Sequence, residues 1–570
     1  MNSSESITLC NNTNSLMSSE SSNLLASNTH GSMLIDYYEI KMVYALWMNG
    51  KHEQHAVFEA FFRRCPFGGE FCIFAGLSEC LNLIKKFQYS SDNLNWLKNA
   101  LPPDVNPMFF TYLQNIKMND IELYAIAEGS PVFPHTPLIV VYGPIGKVQL
   151  LETAIINSIN YASLVATNAA RYRHCTPASV KLSEFGARKA QGPNGALTAS
   201  KYSYLGGFDS TSNVLAAKLY NIPLSGTLAH SFIMSYRSIE DLGNTVLKNN
   251  GICLDIKSES EKYLAELLSD IPLFLNASTN KGELAAFIAF AIAYPHSFVV
   301  VIDTYNVLIS GLPNFCAVAL CIISLGYQPI GVRLDSGDLI YLSKEVRNIF
   351  KLCSEKYLFA AEAFNNLDII LSNDLTLDTL ANLNSDSDRE SGSNPNTVTA
   401  CGVGTHLVTC FKQPALGVVL KLVEIGGRPV VKISEDHQKM SIPGSKSLFR
   451  IYGQDDIAIC DLMTTCAYDE IPMINEPYFV RHPFIFSKRT NVIPTTFENL
   501  LNLYWSGGKL QRTLPSLQES RSFCMDSMKK IRKDHTRLID PRTYKVSLSS
   551  KLYQRTQQIL DETLPLSSLR

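Results

Sequence analysis

The sequence has no excess of charge of either sign: 50 Lys and Arg face 52 Asp and Glu in 570 residues. That balance supplies no whole-chain field for nucleic acid or a membrane surface, so any anion site must be local. No C-x-x-C pair occurs, although 14 cysteines run from Cys10 to Cys524. Histidines do not cluster around them, and the close pairs Cys316/Cys321 and Cys460/Cys466 lie in apolar or mixed runs. Zinc sites and a disulfide framework are thereby disfavoured, and reduced, mostly buried thiols are expected. The first 30 residues lack a basic stretch and a continuous apolar stretch, so they do not read as a secretory leader, and a cytosolic location is the default expectation. No uninterrupted apolar run reaches the roughly 18 residues that a bilayer span needs. "PNFCAVALCIISLGY" is too short for that and reads as a buried helix.

What is present is the composition of an ordinary soluble globular protein, 46% apolar and 18% charged. The length allows two to four domains of roughly 150 residues, or one large barrel with attached elements. Residues 1–30 are rich in Ser and Asn and are expected to be disordered; 383–396, "LNSDSDRESGSNPN", reads as a flexible insertion.

Between these segments, helical and strand-like signals alternate. "LAAFIAFAIAYPHSFVVVIDTYN" carries an apolar helix, a break at Pro295, and a β-branched run from Phe298 to Ile302 that stops at Asp303. Four further segments end in the same manner: "NIPLSGTLAH" (221–230), "YQPIGVRLDSGD" (327–338), "LDIILSND" (367–374) and "TVTACGVGTH" (397–406). After the third of these five runs, Leu339, Leu342, Val346, Ile349 and Phe350 repeat at helical spacing behind an Asp cap. Repeated βα units with continuous apolar strands predict a parallel sheet buried on both faces, either doubly wound or closed into a barrel. Strand ends then share one rim, which would gather His230, Asp303, Arg333, Asp335, Ser372 and Gly404.

The residue types on that rim suit anions and sugars. Gly402 and Gly404, followed by Thr405, form either an anion nest with a hydroxyl beside it or a plain tight turn. Leu407 occupies the third position of an otherwise partial G-x-G-x-x-G, which argues against a dinucleotide fingerprint, as does the missing βαβ context near the N-terminus. "VVVIDTYN" has one acid where the common phosphoribosyl loop has two, so Asp303 is read as a ligand for a sugar hydroxyl or hydrated magnesium, or as a helix cap. Arg333 and Asp335 lie two apart on an extended segment and face the same way. The arginine suits a carboxylate or phosphate, with the acid orienting it or binding a ribose hydroxyl; a structural ion pair is the alternative. Phe185 suits stacking on a flat ring, and Arg188 and Lys189 suit anionic groups, unless this is a basic surface loop. His230 is either a satisfied core histidine or an exposed imidazole that takes up or moves charge.

Taken together, "FFRRCPFGGEFCIFAGL" (61–77), "YASLVATNAARYR" (161–173), "RKAQGPNGALTASKYSYLGGFDSTSNVLA" (188–216), "GTLAHSF" (226–232), "VRLDSGDL" (332–339) and "GVGTHLVT" (402–409) resemble the nicotinate phosphoribosyltransferases. The resemblance to this type II phosphoribosyltransferase family runs from about Ile35 to about Leu560. It implies transfer of the 5-phosphoribosyl group from phosphoribosyl diphosphate to nicotinate, coupled to ATP hydrolysis, with magnesium or manganese. It also implies an irregular TIM-like α/β barrel with an N-terminal α/β sandwich-like domain and a C-terminal extension, in a homodimer with sites at the interface. The implied domains are 31–160, a barrel core over 161–425, and 426–570 packing on the N-terminal domain.

By position, His230 matches the histidine that the family phosphorylates with ATP. Tyr38 matches an aromatic packing on nicotinate, supplied by the neighbouring subunit, and Phe185 would cover the other ring face. Thr227 and Arg333 match nicotinate contacts and Thr405 a phosphoribosyl diphosphate contact; Arg188 and Asp335 are expected at phosphate or ribose. Ser212 stands where the nicotinamide-using relatives carry an acid, and a hydroxyl can donate to the nicotinate carboxylate where an acid would repel it. His406 departs from the smaller polar residue expected there. A nicotinamide enzyme and a non-catalytic binding protein on the same scaffold are the rival readings.

Overall fold

The computed structural model describes residues 31–275, 277–383, 398–434, 439–466 and 470–563. The expected disordered tail lies outside the described residues, as does the expected insertion except for residue 383, which ends the helix Leu377–Leu383. The chain divides into two compact units; among the described residues, one takes those of 31–170, 201–207 and from 410 on, and the other those of 171–200 and 208–409.

The first unit is assembled from both ends of the chain. His55–Phe61 pairs antiparallel with Val419–Ile425 on one side and with Ile139–Pro144 on the other. Asn502–Ser506 pairs with Glu122–Ala125, completing a seven-stranded sheet. A second, six-stranded sheet is built from residues beyond 445, with Lys446–Tyr452 and Ala458–Thr465 at its heart. Its inner face buries Phe449, Ile451, Cys460, Leu462 and Val480.

The second unit holds six parallel strands: β1 (Lys181–Glu184), β2 (Ser210–Thr211), β3 (Val299–Val301), β4 (Gly331–Leu334), β5 (Asp368–Leu371) and β6 (Ala400–Val403). Their order is β3-β4-β5-β6-β1-β2. The last strand thus pairs with the first, as in the sequential wrap of a βα barrel; a doubly wound sheet would instead reverse its order in the middle. No ladder among the described residues closes the ring. The strand expected in 221–230 is reduced to a single parallel bridge, Thr211 to Leu224. Pro223 has no N–H to extend it, and the chain enters a short helix, His230–Met234.

Helices cover this sheet because their apolar positions demand it. Leu312–Ser324 buries twelve of its residues, and Leu339–Lys356 buries Val346, Ile349 and Phe350 on the face its periodicity predicts. Asp338 caps the latter helix, accepting from the Ile340 and Tyr341 amides at 3.2 and 3.0 Å. An aromatic chain ties the layers: Phe298 stacks on Phe315 at 5.5 Å, Phe315 meets Phe350 at 5.8 Å, and Phe350 meets Phe364 at 5.9 Å. Each such buried ring contributes about 1.5–3 kcal/mol.

The apolar segment around residue 315 is longer than the sequence predicts. A π-helical turn, Val307–Gly311, runs into Leu312–Ser324, giving 18 residues of mean hydropathy 2.1, of which 83% are buried in the protein. It is a core helix. Gly311 allows the turn to press on β3, since a Cβ there would lie 1.9 Å from the Ile302 carbonyl oxygen. Nine of the thirteen described cysteines are buried and all thirteen are free, as expected for reduced thiols.

Candidate active site

The register of the parallel ladders sets the rim. Val301 pairs with Arg333, Leu334 with Leu371, Leu371 with Cys401, Val403 with Glu184, and Glu184 with Thr211. One step beyond these pairs stand Asp335, Ser372, Gly404, Phe185 and Ser212, so the C-terminal strand ends converge. They surround a cavity of about 400 Å³ whose wall also includes Arg188, Lys189, Thr227, Arg333, Asp374, Gly402 and Thr405. That volume suits a small ligand. Three permanent cations, Arg188, Lys189 and Arg333, face two carboxylates, Asp335 and Asp374, which biases the cavity toward anions.

Arg333 is fixed on every nitrogen. Its Nε donates to Ser372 Oγ at 2.6 Å, Nη1 to Thr227 Oγ1 at 2.9 Å, and Nη2 to Asp335 Oδ1 at 2.7 Å. The guanidinium is thus held as a plane at the cavity wall; with Nη1 also donating to the Leu228 carbonyl at 3.4 Å, one N–H on Nη2 is left to meet an anion. Burial works against the Asp335 charge, but the hydrogen bonds from Ser372 and Arg333, the guanidinium charge and His230 outweigh it, holding the carboxyl below its usual range.

His230 opens its short helix with the imidazole held between two groups. Nδ1 lies 3.1 Å from Thr304 Oγ1, and Nε2 lies 3.5 Å from Asp335 Oδ2. The carboxylate favours the ring proton on Nε2, which leaves Nδ1 as the acceptor for the Thr304 hydroxyl. With its side chain 38% exposed, His230 is not a core histidine.

Gly402 lies within β6 and is buried beneath the Phe185 ring; a Cβ there would approach that ring to 2.3 Å. Its role is therefore to seat the aromatic ring, which the anion-nest reading did not foresee. At Gly404 a Cβ would lie 3.2 Å from the Phe185 carbonyl oxygen and 3.4 Å from the Lys189 ammonium, so the turn that carries Thr405 runs close to both. The loops bearing Phe185 and Ser212 are braced from below by Glu184, only 1% exposed. Its carboxylate accepts from the Gly186 amide, from Ser200 Oγ at 2.7 Å and from Thr211 Oγ1 at 2.6 Å.

His230, Asp303 and Tyr38 are not among the cavity-lining residues, although His230 adjoins the wall through Asp335. Asp303 accepts from the Ser336 hydroxyl with Oδ2, while its buried Oδ1 has no hydrogen-bond partner among the described residues. Tyr38 lies on the helix Tyr37–Met48 of the first unit and is 46% exposed. Burial, then the Glu152 charge, pushes its phenol up to about 12. Glu184, Thr304 and Asp374 were not singled out from the sequence. Asp374 was legible in principle, being the second residue after Ser372 at the end of "LDIILSND".

Three family models match the chain: the nicotinate phosphoribosyltransferase N-terminal domain over residues 33–160, the nicotinate phosphoribosyltransferase family over 180–286, and the C-terminal domain over 445–556. Nicotinate phosphoribosyltransferase 2 of Arabidopsis thaliana is 44% identical over 91% of this chain and 92% of its own. The Caenorhabditis elegans nicotinate phosphoribosyltransferase is 44% identical over 94% of both. The crystal structure of human nicotinic acid phosphoribosyltransferase superposes with a TM-score of 0.81 at 37% identity, covering 92% of this chain and all of that one, 100%. With relatives this similar along nearly its whole length, the chain belongs to the nicotinate phosphoribosyltransferase family.

Proposed function

We propose that this protein transfers the 5-phosphoribosyl group of phosphoribosyl diphosphate to nicotinate, giving nicotinate mononucleotide and diphosphate, with ATP as co-substrate. The observation that carries this reading is the Arg333 guanidinium, locked by Ser372, Thr227 and Asp335 at the wall of a cation-rich cavity. A carboxylate ligand suits that cation and its remaining N–H; an uncharged amide forfeits the charge assistance.

In the reaction, the C1′–O bond to diphosphate breaks and the bond from the pyridine nitrogen to C1′ forms. Neutral pyridine becomes pyridinium, so no proton has to leave and no side-chain nucleophile is required. The protein aligns the partners and neutralises the departing diphosphate. Arg333 and Thr227 hold the nicotinate carboxylate, Ser212 donates a further hydrogen bond, and Phe185 on Gly402 covers one ring face. Tyr38 of a neighbouring subunit covers the other, which makes a homodimer part of the proposal. Arg188, Lys189, Gly404 and Thr405 receive the phosphates, and Asp335 adds a ribose contact.

Among the described residues, no group of three or more His, Cys, Asp or Glu could hold a metal by itself. A magnesium or manganese ion bound at this cavity would take most of its ligands from substrate phosphates and water; Asp303, whose Oδ1 is buried and outside the cavity wall, does not offer it that oxygen in this structure. Such an ion would supply charge neutralisation to the leaving group.

His230 is assigned as the residue phosphorylated by ATP, through Nδ1, with Asp335 holding the proton on Nε2. The phosphohistidine favours a closed, tight-binding state, and its hydrolysis lets product leave. A cytosolic location is part of the same reading, supported by the thirteen free cysteines.

Diphosphate release from phosphoribosyl diphosphate tests the reading, with nicotinate or nicotinamide as acceptor and with or without ATP. Nicotinate-dependent release stimulated by ATP is expected. Preference for nicotinamide would favour the rival enzyme, and release with neither would favour a binding protein.

A further inference from the structure

Ser372 follows β5 directly and is 2% exposed. Its single hydroxyl links the two charged side chains of the neighbouring strand end. It accepts from Arg333 Nε at 2.6 Å and donates to Asp335 Oδ1 at 2.5 Å. One proton and two lone pairs allow both bonds at once. The same Asp335 oxygen accepts from Arg333 Nη2 at 2.7 Å, so the three groups close a ring.

The backbone holds this serine in place. Its amide donates to the Leu334 carbonyl at 3.0 Å, tying it to the strand that carries both partners. Immediately beyond it, Asn373 and Asp374 both adopt left-handed conformations, with φ of 75° and 45°. Two consecutive non-glycine residues in that region are costly, of order 1–3 kcal/mol each, and such strain is kept where the surrounding structure fixes it.

We propose that Ser372 is a positioning residue that sets the Arg333 guanidinium and the Asp335 carboxylate relative to each other. It thereby joins the nicotinate grip to the histidine that ATP modifies. The inference rests on the reading of Arg333 as the nicotinate ligand and of His230 as the phosphorylated residue. Asp335 is the bridge: Oδ1 faces Arg333 and Ser372, while Oδ2 lies 3.5 Å from His230 Nε2. Without the Ser372 hydroxyl, Arg333 Nε loses its acceptor, and the guanidinium is held only through Nη1, by Thr227 and the Leu228 carbonyl, and through Nη2, by Asp335. Asp335 is left with fewer donors on the oxygen that faces away from His230. The groups assigned to the phosphates, Arg188, Lys189 and Thr405, stand beside β1 and β6 and do not depend on this ring.

The test compares Ser372→Ala with the wild-type protein in steady-state assays varying nicotinate, phosphoribosyl diphosphate and ATP separately. The expected result is a rise of about tenfold in KM for nicotinate and reduced ATP stimulation, while KM for phosphoribosyl diphosphate, which Asp335 meets through one ribose contact, rises by a clearly smaller factor of about two to three. A merely structural role would move both substrate constants by the same factor. If both constants move by the same factor, or nicotinate KM is unchanged in a folded variant, the positioning role is overturned. Should the alanine variant not fold, Ser372→Cys, whose thiol is a weaker donor and acceptor, is measured against the same two outcomes. A wild-type protein that makes no mononucleotide from nicotinate overturns the proposed function and this role together. An active wild type with an unchanged variant overturns the role of Ser372 alone.

Discussion

Arg333 and Asp335, two residues apart at the end of β4, face the same way and are joined at 2.7 Å, and the carboxylate presents its other oxygen to His230 at 3.5 Å. The pair connects the cationic wall of the cavity to the imidazole that stands at its edge. A lysine cannot reproduce that geometry, because a single ammonium cannot span Ser372, Thr227 and Asp335 and still keep a donor for the ligand. Arg333→Lys is expected to raise KM for nicotinate by about ten- to a hundredfold, with the larger share of the loss in KM rather than kcat. Initial rates at varied nicotinate would read this directly.

His230→Ala is expected to retain nicotinate-dependent diphosphate release at a reduced rate while losing its stimulation by ATP. With the wild type, phosphate from γ-labelled ATP is expected on a peptide containing residue 230, in an acid-labile linkage. Stimulation that persists in the variant would remove His230 from the energy-coupling role.

Gly402→Ala would bring a methyl group into the Phe185 ring, which lies 2.3 Å from the position of that Cβ. The ring has to move off the cavity wall. An increase in nicotinate KM is expected, with a stability loss of about 1–3 kcal/mol, the usual cost of overpacking. Thermal unfolding and substrate titration on the same preparation separate the two effects.

Glu283 is fully buried, with Oε2 accepting from Ser310 at 2.5 Å and from Asn314 at 3.2 Å, while Oε1 has no hydrogen-bond partner among the described residues. Burial pushes its carboxyl from 4.5 up to about 7; the two hydrogen bonds oppose the rise and the Asp303 charge adds to it. Between these values the folded protein keeps a proton that the unfolded chain has lost. Stability therefore falls as pH rises from about 4.5 to about 7 and levels off above it, a change of about 3 kcal/mol from this group. Glu283→Gln is expected to remove that slope and to be more stable than the wild type at pH 8. Urea unfolding across the window measures it.

Much of this arrangement is legible in single segments. The strand ends at Asp303, Asp335, Ser372 and Gly404 follow from apolar runs that stop at polar residues, and the helix Leu339–Lys356 follows from its period and its Asp338 cap. The shared rim follows from the parallel sheet that those βα units require. Other features depend on partners distant in the chain. Ser372 reads as one polar strand end among several until the register sets it between Arg333 and Asp335. Gly402 reads as a ligand turn until the neighbouring strand lays Phe185 across it. The strand expected before His230 shrinks to one bridge because Pro223 interrupts the ladder. The sequence pattern also leaves no local sign that His55–Phe61 and Val419–Ile425 share a ladder in one unit.

The central claim is that the cavity selects a carboxylate-bearing pyridine as phosphoribosyl acceptor. Its most direct test is internal competition: equal nicotinate and nicotinamide are supplied with phosphoribosyl diphosphate and ATP in one reaction, and both mononucleotides are quantified by mass spectrometry. Nicotinate mononucleotide is expected in large excess, with the excess reduced when Arg333 is replaced by Lys. Equal amounts of the two products, or an excess of nicotinamide mononucleotide, would contradict the account.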